Sequence, residues 1–382
     1  MVGACLPEKL IRSSRPFFPK EDIDLICRDI AKALDEGRLR NGRNLADFER
    51  MFAEYIGVGE AVAFDSDGNA LETALQHFGV KGREVVVCTN SFVSIPNSVV
   101  YAGGKVAFAD IREETLSMDP ASLVKRVSED TCGVVVTHIA GFPNPDLMEI
   151  VEICRDRGLF LVEDATHAAG AVIEGRKVGS FGDAAVFAFT PTKVLTTGEG
   201  GMLVSNDSGL CEEARRFRYY GSGQGKTSFV NLGRHMMLPE VSAILGIYQL
   251  RRVEEFVARR NEIARVYDGE LGGSGVFRVV KCPPHGRSSY YKYPLILADH
   301  VERVRFTGLL EEEFGVETGN VFYPPCHMQP VYRKQGNGVS GELSVSERVL
   351  ARTITLPMHV AMTDQDVSYV VESCKSALTR LS

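Results

Sequence analysis

Short apolar runs alternate with amphipathic segments through the first part of the 382-residue chain. Apolar runs bounded by polar or glycine-rich residues are typical of buried strands, and apolar residues at helical spacing are typical of helices. The predicted strands cover residues 61–64, 84–88, 105–110, 132–138, 159–163, 184–189 and 202–205. The predicted helices cover residues 20–36, 45–55, 70–78, 93–102, 120–127, 145–157 and 210–219. This alternation predicts an α/β fold with a mostly parallel central sheet.

The last third of the chain follows a different pattern. A long helix over residues 240–260 is predicted to lead from a large domain, residues 1–270, into a smaller domain, residues 271–382. The smaller domain has a predicted strand at 290–297 and predicted helices at 301–314 and 364–378. We therefore expect a smaller C-terminal α+β domain.

One lysine, Lys193, lies in a loop between two of the predicted strands and is followed by three glycines. Another strand ends at Asp164, 29 residues earlier, and His167 follows three positions later. A lysine amine and a carboxylate at a strand end are typical of a pyridoxal 5'-phosphate (PLP) site, because the carboxylate keeps the pyridine nitrogen of this cofactor protonated. Each residue also has an ordinary interpretation, Lys193 as a solvent-facing loop lysine and Asp164 as a helix N-cap.

Further candidates fall after the carboxyl ends of strands, where ligands bind in open α/β sheets. Ser66, Asp67 and Gly68 open a predicted helix, and the free N–H groups of a helix N-terminus suit a phosphate. Phe92 follows the strand at 84–88, where its ring could lie on an aromatic cofactor. An ordinary capped turn and a core phenylalanine are the alternatives.

Motifs along nearly the whole chain resemble the DegT/StrS-type sugar aminotransferases, a fold-type I PLP family. They are Asn41-Gly42, Phe48-Glu49, Ser91 to Val93, Tyr101 to Gly104, Phe108 to Asp110, Glu163 to Gly170, Gly179 to Asp183, Pro191 to Lys193, Thr197 to Gly201, Gly246 to Leu250 and Leu356 to His359.

The resemblance implies a role for each candidate. Lys193 would carry PLP as an internal aldimine and move protons, Asp164 would pair with the pyridine nitrogen, and His167 would contact the ring hydroxyl. Phe92 would stack on the ring. The phosphate would be held by Ser66, Asp67 and Gly68. The resemblance also implies a homodimer with active sites at its interface, glutamate as amino donor and a nucleotide-linked keto sugar as acceptor.

The chain departs from the family's pattern at the phosphate end of this site. The family usually has Gly-Thr where this chain has Asp67 and Gly68, and serine where it has Ala188. It also has an asparagine, contributed across the dimer, near His235, and an arginine near Met237. The phosphate cradle is therefore expected to have fewer donors and an extra carboxylate.

Contacts with the substrate are predicted from residue type alone. In the predicted loop 323–332, His327 is a candidate sugar contact, with a packed histidine as the alternative. Arg40, with Arg38 and Arg43, is a candidate for the pyrophosphate by charge, and His235 is a further candidate substrate residue. Cys326 would suit a desulfurase if it were a reactive thiolate, but plain packing is the commoner case.

Composition limits the other possibilities. A net charge of −7 and a pI near 5.7 provide no basic face for nucleic acid or anionic lipid. The chain has no run long enough for a membrane span and no signal-peptide pattern, so a cytoplasmic location is expected. Nine widely spaced cysteines without a CxxC pair predict reduced thiols, and no metal site is predicted.

Three alternative functions are also compatible with these motifs. A cyclitol ketone aminotransferase would differ only in the acceptor. A 3-dehydratase of the same family would replace the lysine with histidine, whereas Lys193 is present. A PLP-binding regulatory homologue without turnover is suggested by the altered phosphate loop.

Overall fold

The computed structural model describes residues 9–223, 227–334 and 343–381. Cys5 and residues 224–226, part of a predicted polar loop, lie outside these ranges. The helices are α1 (Lys20–Asp35), α2 (Arg43–Ile56), α3 (Asp67–His77), α4 (Ser94–Tyr101), α5 (Pro120–Arg126), α6 (Leu147–Asp156), α7 (Ser208–Phe217), α8 (Glu240–Leu271), α9 (Arg303–Glu312), α10 (Pro330–Lys334), α11 (Ser344–Leu350) and α12 (Asp364–Leu381). The strands are β1 (Glu60–Phe64), β2 (Glu84–Cys88), β3 (Lys105–Ala109), β4 (Thr131–Thr137), β5 (Phe160–Asp164), β6 (Val172–Ile173), β7 (Arg176–Lys177), β8 (Ala184–Ala188), β9 (Gly201–Ser205), β10 (Phe277–Val279), β11 (Gly286–Arg287), β12 (Tyr293–Leu297) and β13 (Thr353–Leu356).

The central sheet has the strand order β1-β9-β8-β5-β4-β2-β3. Strand β9 pairs antiparallel with both β1 and β8, while the other neighbouring strands pair parallel. The strands are apolar on both faces because helices cover both sides of such a sheet. One layer contains α2, α6 and α8, and the other contains α3, α4 and α7. The predicted α/β fold with a mostly parallel central sheet is confirmed.

The C-terminal part is built on a second sheet, in which β10, β12 and β13 pair antiparallel. Helix α8 runs past the predicted end at 260, because Ile263, Ala264 and Tyr267 continue its buried face. The strand expected at 290–297 begins only at Tyr293, since Tyr290 has a φ of 45°. The division of the chain at residue 270 stays a prediction.

Two further details bear on the predictions. Within the described ranges, no helix combines the length and apolarity needed to cross a bilayer. The segment 323–332, expected to be a loop, contains a 3-10 turn, Cys326–Met328, and the start of α10.

Candidate active site

Asp164 is the last residue of β5 and is 1% exposed. Its Oδ2 accepts a hydrogen bond from Thr137 Oγ1 (3.0 Å), and its Oδ1 accepts from Thr166 Oγ1 (2.7 Å) and Thr166 N (3.2 Å). No helix lies between Asp164 and β6, so the N-cap alternative is wrong. The carboxylate is held in a fixed orientation at the carboxyl end of the sheet.

Lys193 is half-buried in the loop after β8. Its Nζ lies 4.6 Å from the centroid of the Tyr291 ring. Burial lowers the pKa of Lys193 to about 8, although the negative charges of Asp67 and Asp164 oppose this shift. The structure therefore brings Lys193, Asp164 and Asp67 into one electrostatic environment, and the solvent-facing alternative for Lys193 is wrong.

His167 is 4% exposed, and its Nδ1 accepts a hydrogen bond from the backbone N–H of Ala140 (3.2 Å). Burial lowers the pKa of His167 well below its usual value, and the positive charges of Lys193 and Lys292 lower it further. The imidazole is therefore neutral with its proton on Nε2, which makes Nε2–H a hydrogen-bond donor.

Aromatic rings form one wall of the site. The ring of His167 packs on Tyr291 at 4.4 Å and on Phe322 at 5.5 Å between centroids. Phe322 in turn lies 5.6 Å from Phe92, which is 52% exposed. Phe92 is thus not a core residue, and one face of its ring is available. Sequence reasoning missed Tyr291 and Phe322, although the aromatic run at 290–293 with a single lysine inside it was a usable signal.

The N-terminus of α3 lies within electrostatic range of Lys193, because the charges of Asp67 and Lys193 act on each other's pKa. Ser66 is the N-cap of this helix, and its Oγ accepts from Asn69 N (3.2 Å). The carboxyl group of Asp67 accepts from Ser94 Oγ (3.2 Å), and burial raises its pKa while Lys193 opposes the shift. A Cβ added at Gly68 would meet nothing closer than Ser98 Oγ at 3.7 Å, so neighbouring protein atoms do not demand glycine there.

Residue 188 has no hydroxyl to add to this helix terminus. Ala188 pairs with Gly201 across β8 and β9. Gly201 in turn lies against the helix start, because a Cβ there would come within 2.4 Å of Asp67 N. The expected shortage of donors and the extra carboxylate therefore occur together at one end of the site.

Glu163 fixes the turn that leads into β8. It is fully buried, and its carboxylate accepts from the N–H groups of Gly179 (2.7 Å), Phe181 (2.6 Å) and Gly182 (2.9 Å). His138 Nε2 adds a fourth contact at 3.0 Å. Burial alone would raise the pKa of Glu163, but these hydrogen bonds outweigh it and lower the pKa. The turn and the strand carrying Asp164 are thereby held together.

His327 lies in a different environment from the one predicted. It is 2% exposed, its Nδ1 lies 2.6 Å from Thr89 Oγ1, and its Nε2 lies 3.0 Å from Glu347 Oε1. Both ring nitrogens have partners, so the geometry gives no support to a sugar contact. The adjacent Cys326 is also buried, with its pKa raised to about 12 by burial, which disfavours the thiolate that a desulfurase needs.

Arg40 and His235 lie together, against Tyr219. The guanidinium of Arg40 is 5.6 Å from the Tyr219 ring centroid, and the His235 ring is 6.3 Å from it. The segment carrying His235 runs beside the end of β1, because Asp65 N donates to the Met236 carbonyl (3.0 Å). Arg38 and Arg43 line a separate cavity of about 390 Å³, and four acidic side chains among its lining offset its four basic ones.

The profile of the DegT/DnrJ/EryC1/StrS aminotransferase family matches residues 21–375. The chain belongs to this family. It is 32% identical over 377 residues to the spore coat polysaccharide biosynthesis protein SpsC of Bacillus subtilis (strain 168), covering 95% of each chain. It is 31% identical over 344 residues to the GDP-perosamine synthase of Caulobacter vibrioides, covering 88% of this chain and 91% of that one.

A solved structure gives the same result. The aminotransferase TlmJ of Streptoalloteichus hindustanus superposes with a TM-score of 0.89 at 33% identity, covering 97% of this chain and 100% of that one. The predicted fold-type I architecture and the prediction of an aminotransferase are confirmed.

Proposed function

We propose that this family member is a PLP-dependent aminotransferase that moves an amino group from glutamate to a nucleotide-linked keto sugar. The observation that carries the proposal is the placement of Lys193, with its pKa lowered to about 8, within electrostatic range of the buried carboxylate of Asp164. The chain is similar to a relative named GDP-perosamine synthase, which supports a nucleotide sugar as substrate.

The residues present fit the ring of PLP better than its phosphate. Asp164 offers a carboxylate for the pyridine nitrogen, His167 offers an Nε2–H for the ring oxygen, and Phe92 offers a free ring face. At the other end, the backbone N–H groups at Asp67 and Gly68 would hold the phosphate, and no protein atom comes within 3.7 Å of the position that a Cβ would take at Gly68. The Asp67 carboxyl and Ala188 make that end less favourable, so the group fits with reduced affinity.

When bound, PLP supplies an electron sink for the carbon that loses or gains the amino group. Lys193 would bind the cofactor covalently through Nζ and then take and return a proton at the substrate carbon. Its lowered pKa suits both tasks, because a neutral amine is the nucleophile and a base near the working pH transfers protons efficiently. The negative charge of Asp164 would stabilise the protonated ring nitrogen, and the wall of His167, Tyr291 and Phe322 would exclude water.

We also propose that the protein is a homodimer. Phe229, Val230 and Leu232 are 58%, 59% and 92% exposed in the segment that leads to His235. Large apolar side chains exposed together mark interaction surfaces. This segment would bring His235 to the active site of the other subunit.

The experiment is a spectrum of the purified protein with PLP, recorded before and after addition of glutamate. We expect the absorption band of the lysine-bound cofactor to give way to that of the aminated cofactor. Lys193→Ala should lose the first band, and Asp164→Asn should keep it but convert on the order of a hundredfold more slowly. An unchanged band in Lys193→Ala, or no conversion in the wild type, would contradict the proposal; the second result would favour a binding homologue without turnover.

A further inference from the structure

A second lysine, Lys292, lies at the same site. It immediately precedes β12, and its Nζ donates to the carbonyl of Asn320 (2.8 Å). The ammonium lies 5.7 Å from the centroid of the Tyr291 ring and 5.6 Å from that of Phe322. These two rings are the ones that pack on His167, so Lys292 faces the aromatic wall of the candidate active site.

The backbone holds Lys292 in this place. Its N–H donates to the carbonyl of Ala140 (3.1 Å), and the N–H of Ala140 fixes His167. Ser289, three residues earlier in the same segment, donates its N–H to Gly141 O (3.0 Å) and its Oγ to His167 O (3.0 Å). The segment that carries Lys292 is thus tied to the loop at the end of β4 and to His167 itself.

The charge of Lys292 lacks a partner of opposite sign. Among residues 9–223, 227–334 and 343–381, no carboxylate lies within 4.0 Å of its Nζ, and its polar contact is one neutral carbonyl. Burial lowers the pKa of Lys292; Tyr291 opposes this shift, and the nearby charge of Lys193 adds to it. A half-buried ammonium with an uncompensated charge is stabilised when an anion binds beside it.

We propose that Lys292 binds a carboxylate of the amino donor. This assignment rests on the proposed function and names the group that recognises the donor. Lys193 and Lys292 face one ring, with Nζ atoms 4.6 Å and 5.7 Å from the centroid of Tyr291. A small amino acid whose carboxylate binds Lys292 therefore has its amino nitrogen and its α-carbon close to Lys193, the residue that would move a proton at that carbon. The pyrophosphate of a nucleotide sugar is separated from its keto carbon by the sugar and suits this short distance less well.

The test compares wild type with Lys292→Met, which keeps the length of the side chain without the charge, and with Lys292→Arg, which keeps the charge. In a stopped-flow half-reaction with glutamate, we expect Lys292→Met to raise the half-saturating concentration about tenfold or more, the size of one charge-assisted hydrogen bond. The limiting rate should change less than about threefold, and Lys292→Arg should recover most of the affinity. Lys281→Met, an exposed lysine of the same chain, is the matched control and should behave as wild type.

Calorimetry with two unreactive anions separates the possible sources of the ligand. Glutarate should bind wild type and lose about tenfold in affinity in Lys292→Met, whereas uridine diphosphate should bind both equally. Equal glutarate binding in the two proteins, or a loss confined to uridine diphosphate, would overturn the proposal. If wild type shows no half-reaction with glutamate, the proposed function fails, and the glutarate titration still decides whether Lys292 binds a carboxylate. Equal PLP affinity and equal melting temperature of Lys292→Met and wild type are the controls for folding.

Discussion

At Lys193, burial and neighbouring charge act in opposite directions on one ammonium group. Burial favours the neutral amine, and the carboxylates of Asp67 and Asp164 favour the charged form, with burial the stronger effect. Below its pKa the amine is protonated and cannot attack the cofactor aldehyde, so reactivity is lost as the pH falls. The same environment that makes Lys193 a nucleophile therefore sets a pH limit on cofactor attachment.

We expect the rate of covalent PLP attachment to the cofactor-free protein to rise with pH and to reach half its maximum near pH 8. Mixing the protein with PLP across this range and following the absorption of the bound form measures the midpoint. Nα-acetyl-lysine, which keeps a free side-chain amine, is the control: its reaction with PLP over the same pH range shows how far the titration of PLP itself changes the rate. A midpoint near the ordinary lysine value of 10.5 would show that the amine is not desolvated.

Asp67 and Ala188 give a second prediction for single residues. Asp67 places a carboxyl group where a doubly charged phosphate would lie, and Ala188 supplies no hydroxyl, so like-charge repulsion should weaken PLP binding. We expect Asp67→Gly, Asp67→Asn and Ala188→Ser each to tighten PLP binding, by about tenfold for the Asp67 variants. Spectral titration measures the affinity, and pyridoxal without the phosphate is the control, since its affinity should change little. Unchanged or weaker PLP binding in all three variants would place the phosphate elsewhere.

At the scale of elements, the turn before β8 depends on a carboxylate from β5. Glu163 accepts three backbone N–H groups from Gly179, Phe181 and Gly182, and it pairs with His138. Gly179 has a φ of 92°, and a Cβ there would come within 2.6 Å of Phe187, so the turn also requires glycine. These contacts explain why the motif at 179–183 accompanies the glutamate before Asp164.

We predict that Glu163→Gln lowers the free energy of unfolding by about 2 to 4 kcal/mol, because an amide cannot accept all of these hydrogen bonds and leaves buried donors unpaired. Urea denaturation at pH 7 measures the change, with Glu149→Gln on the exposed face of α6 as a control expected within about 0.5 kcal/mol of wild type.

The stabilisation by Glu163 should depend on pH. The pKa of Glu163 is lowered in the folded state, so its contribution to the free energy of unfolding is present above the ordinary glutamate pKa and is lost as the pH falls below it. The difference between wild type and Glu163→Gln should therefore shrink in acid. A loss below 1 kcal/mol at pH 7 would contradict this account.

Some helices and strands could be predicted from the sequence more fully than others. The strand ends at Asp164 and Cys88 were predictable, because buried parallel strands appear as continuous apolar runs. The aromatic run at 290–293 was visible in the sequence, but its position at the site was not predictable, since that position depends on Ser289 and Lys292 bonding to Gly141 and Ala140 more than a hundred residues away. The short strands β6, β7 and β11 were missed because two-residue strands carry no periodic signal.

The roles of single site residues were hard to predict because the sequence does not show which side chains they contact. The sequence could place His327 beside Cys326 but not reveal that Thr89 and Glu347 occupy its two nitrogens. By contrast, Lys193, Asp164 and His167 come together as predicted, because the ends of parallel strands meet at one edge of the sheet.

For the molecule as a whole, the exposed apolar segment before His235 is the basis for the proposed homodimer. We predict that Leu232→Glu combined with Phe229→Glu shifts the protein from dimer to monomer, because it places charges in an apolar interface. Sedimentation velocity at micromolar concentration measures the mass, and Val304→Glu, an equally drastic change at a 67% exposed position of α9, should leave the dimer intact. A monomeric wild type, or a double variant that stays dimeric, would contradict the prediction.

A single-turnover panel tests most directly whether the protein transfers an amino group to a nucleotide-linked keto sugar. The protein is first converted with glutamate to its aminated cofactor form, freed of excess donor, and then mixed with nucleotide-linked 3-keto and 4-keto sugars, cyclitol ketones and simple keto acids other than 2-oxoglutarate. We predict that the absorption band of the lysine-bound cofactor returns with a nucleotide-linked keto sugar and not with the simple keto acids. Return of the band with cyclitol ketones or simple keto acids alone would contradict the nucleotide-sugar assignment, and no return with any acceptor would contradict the transfer itself.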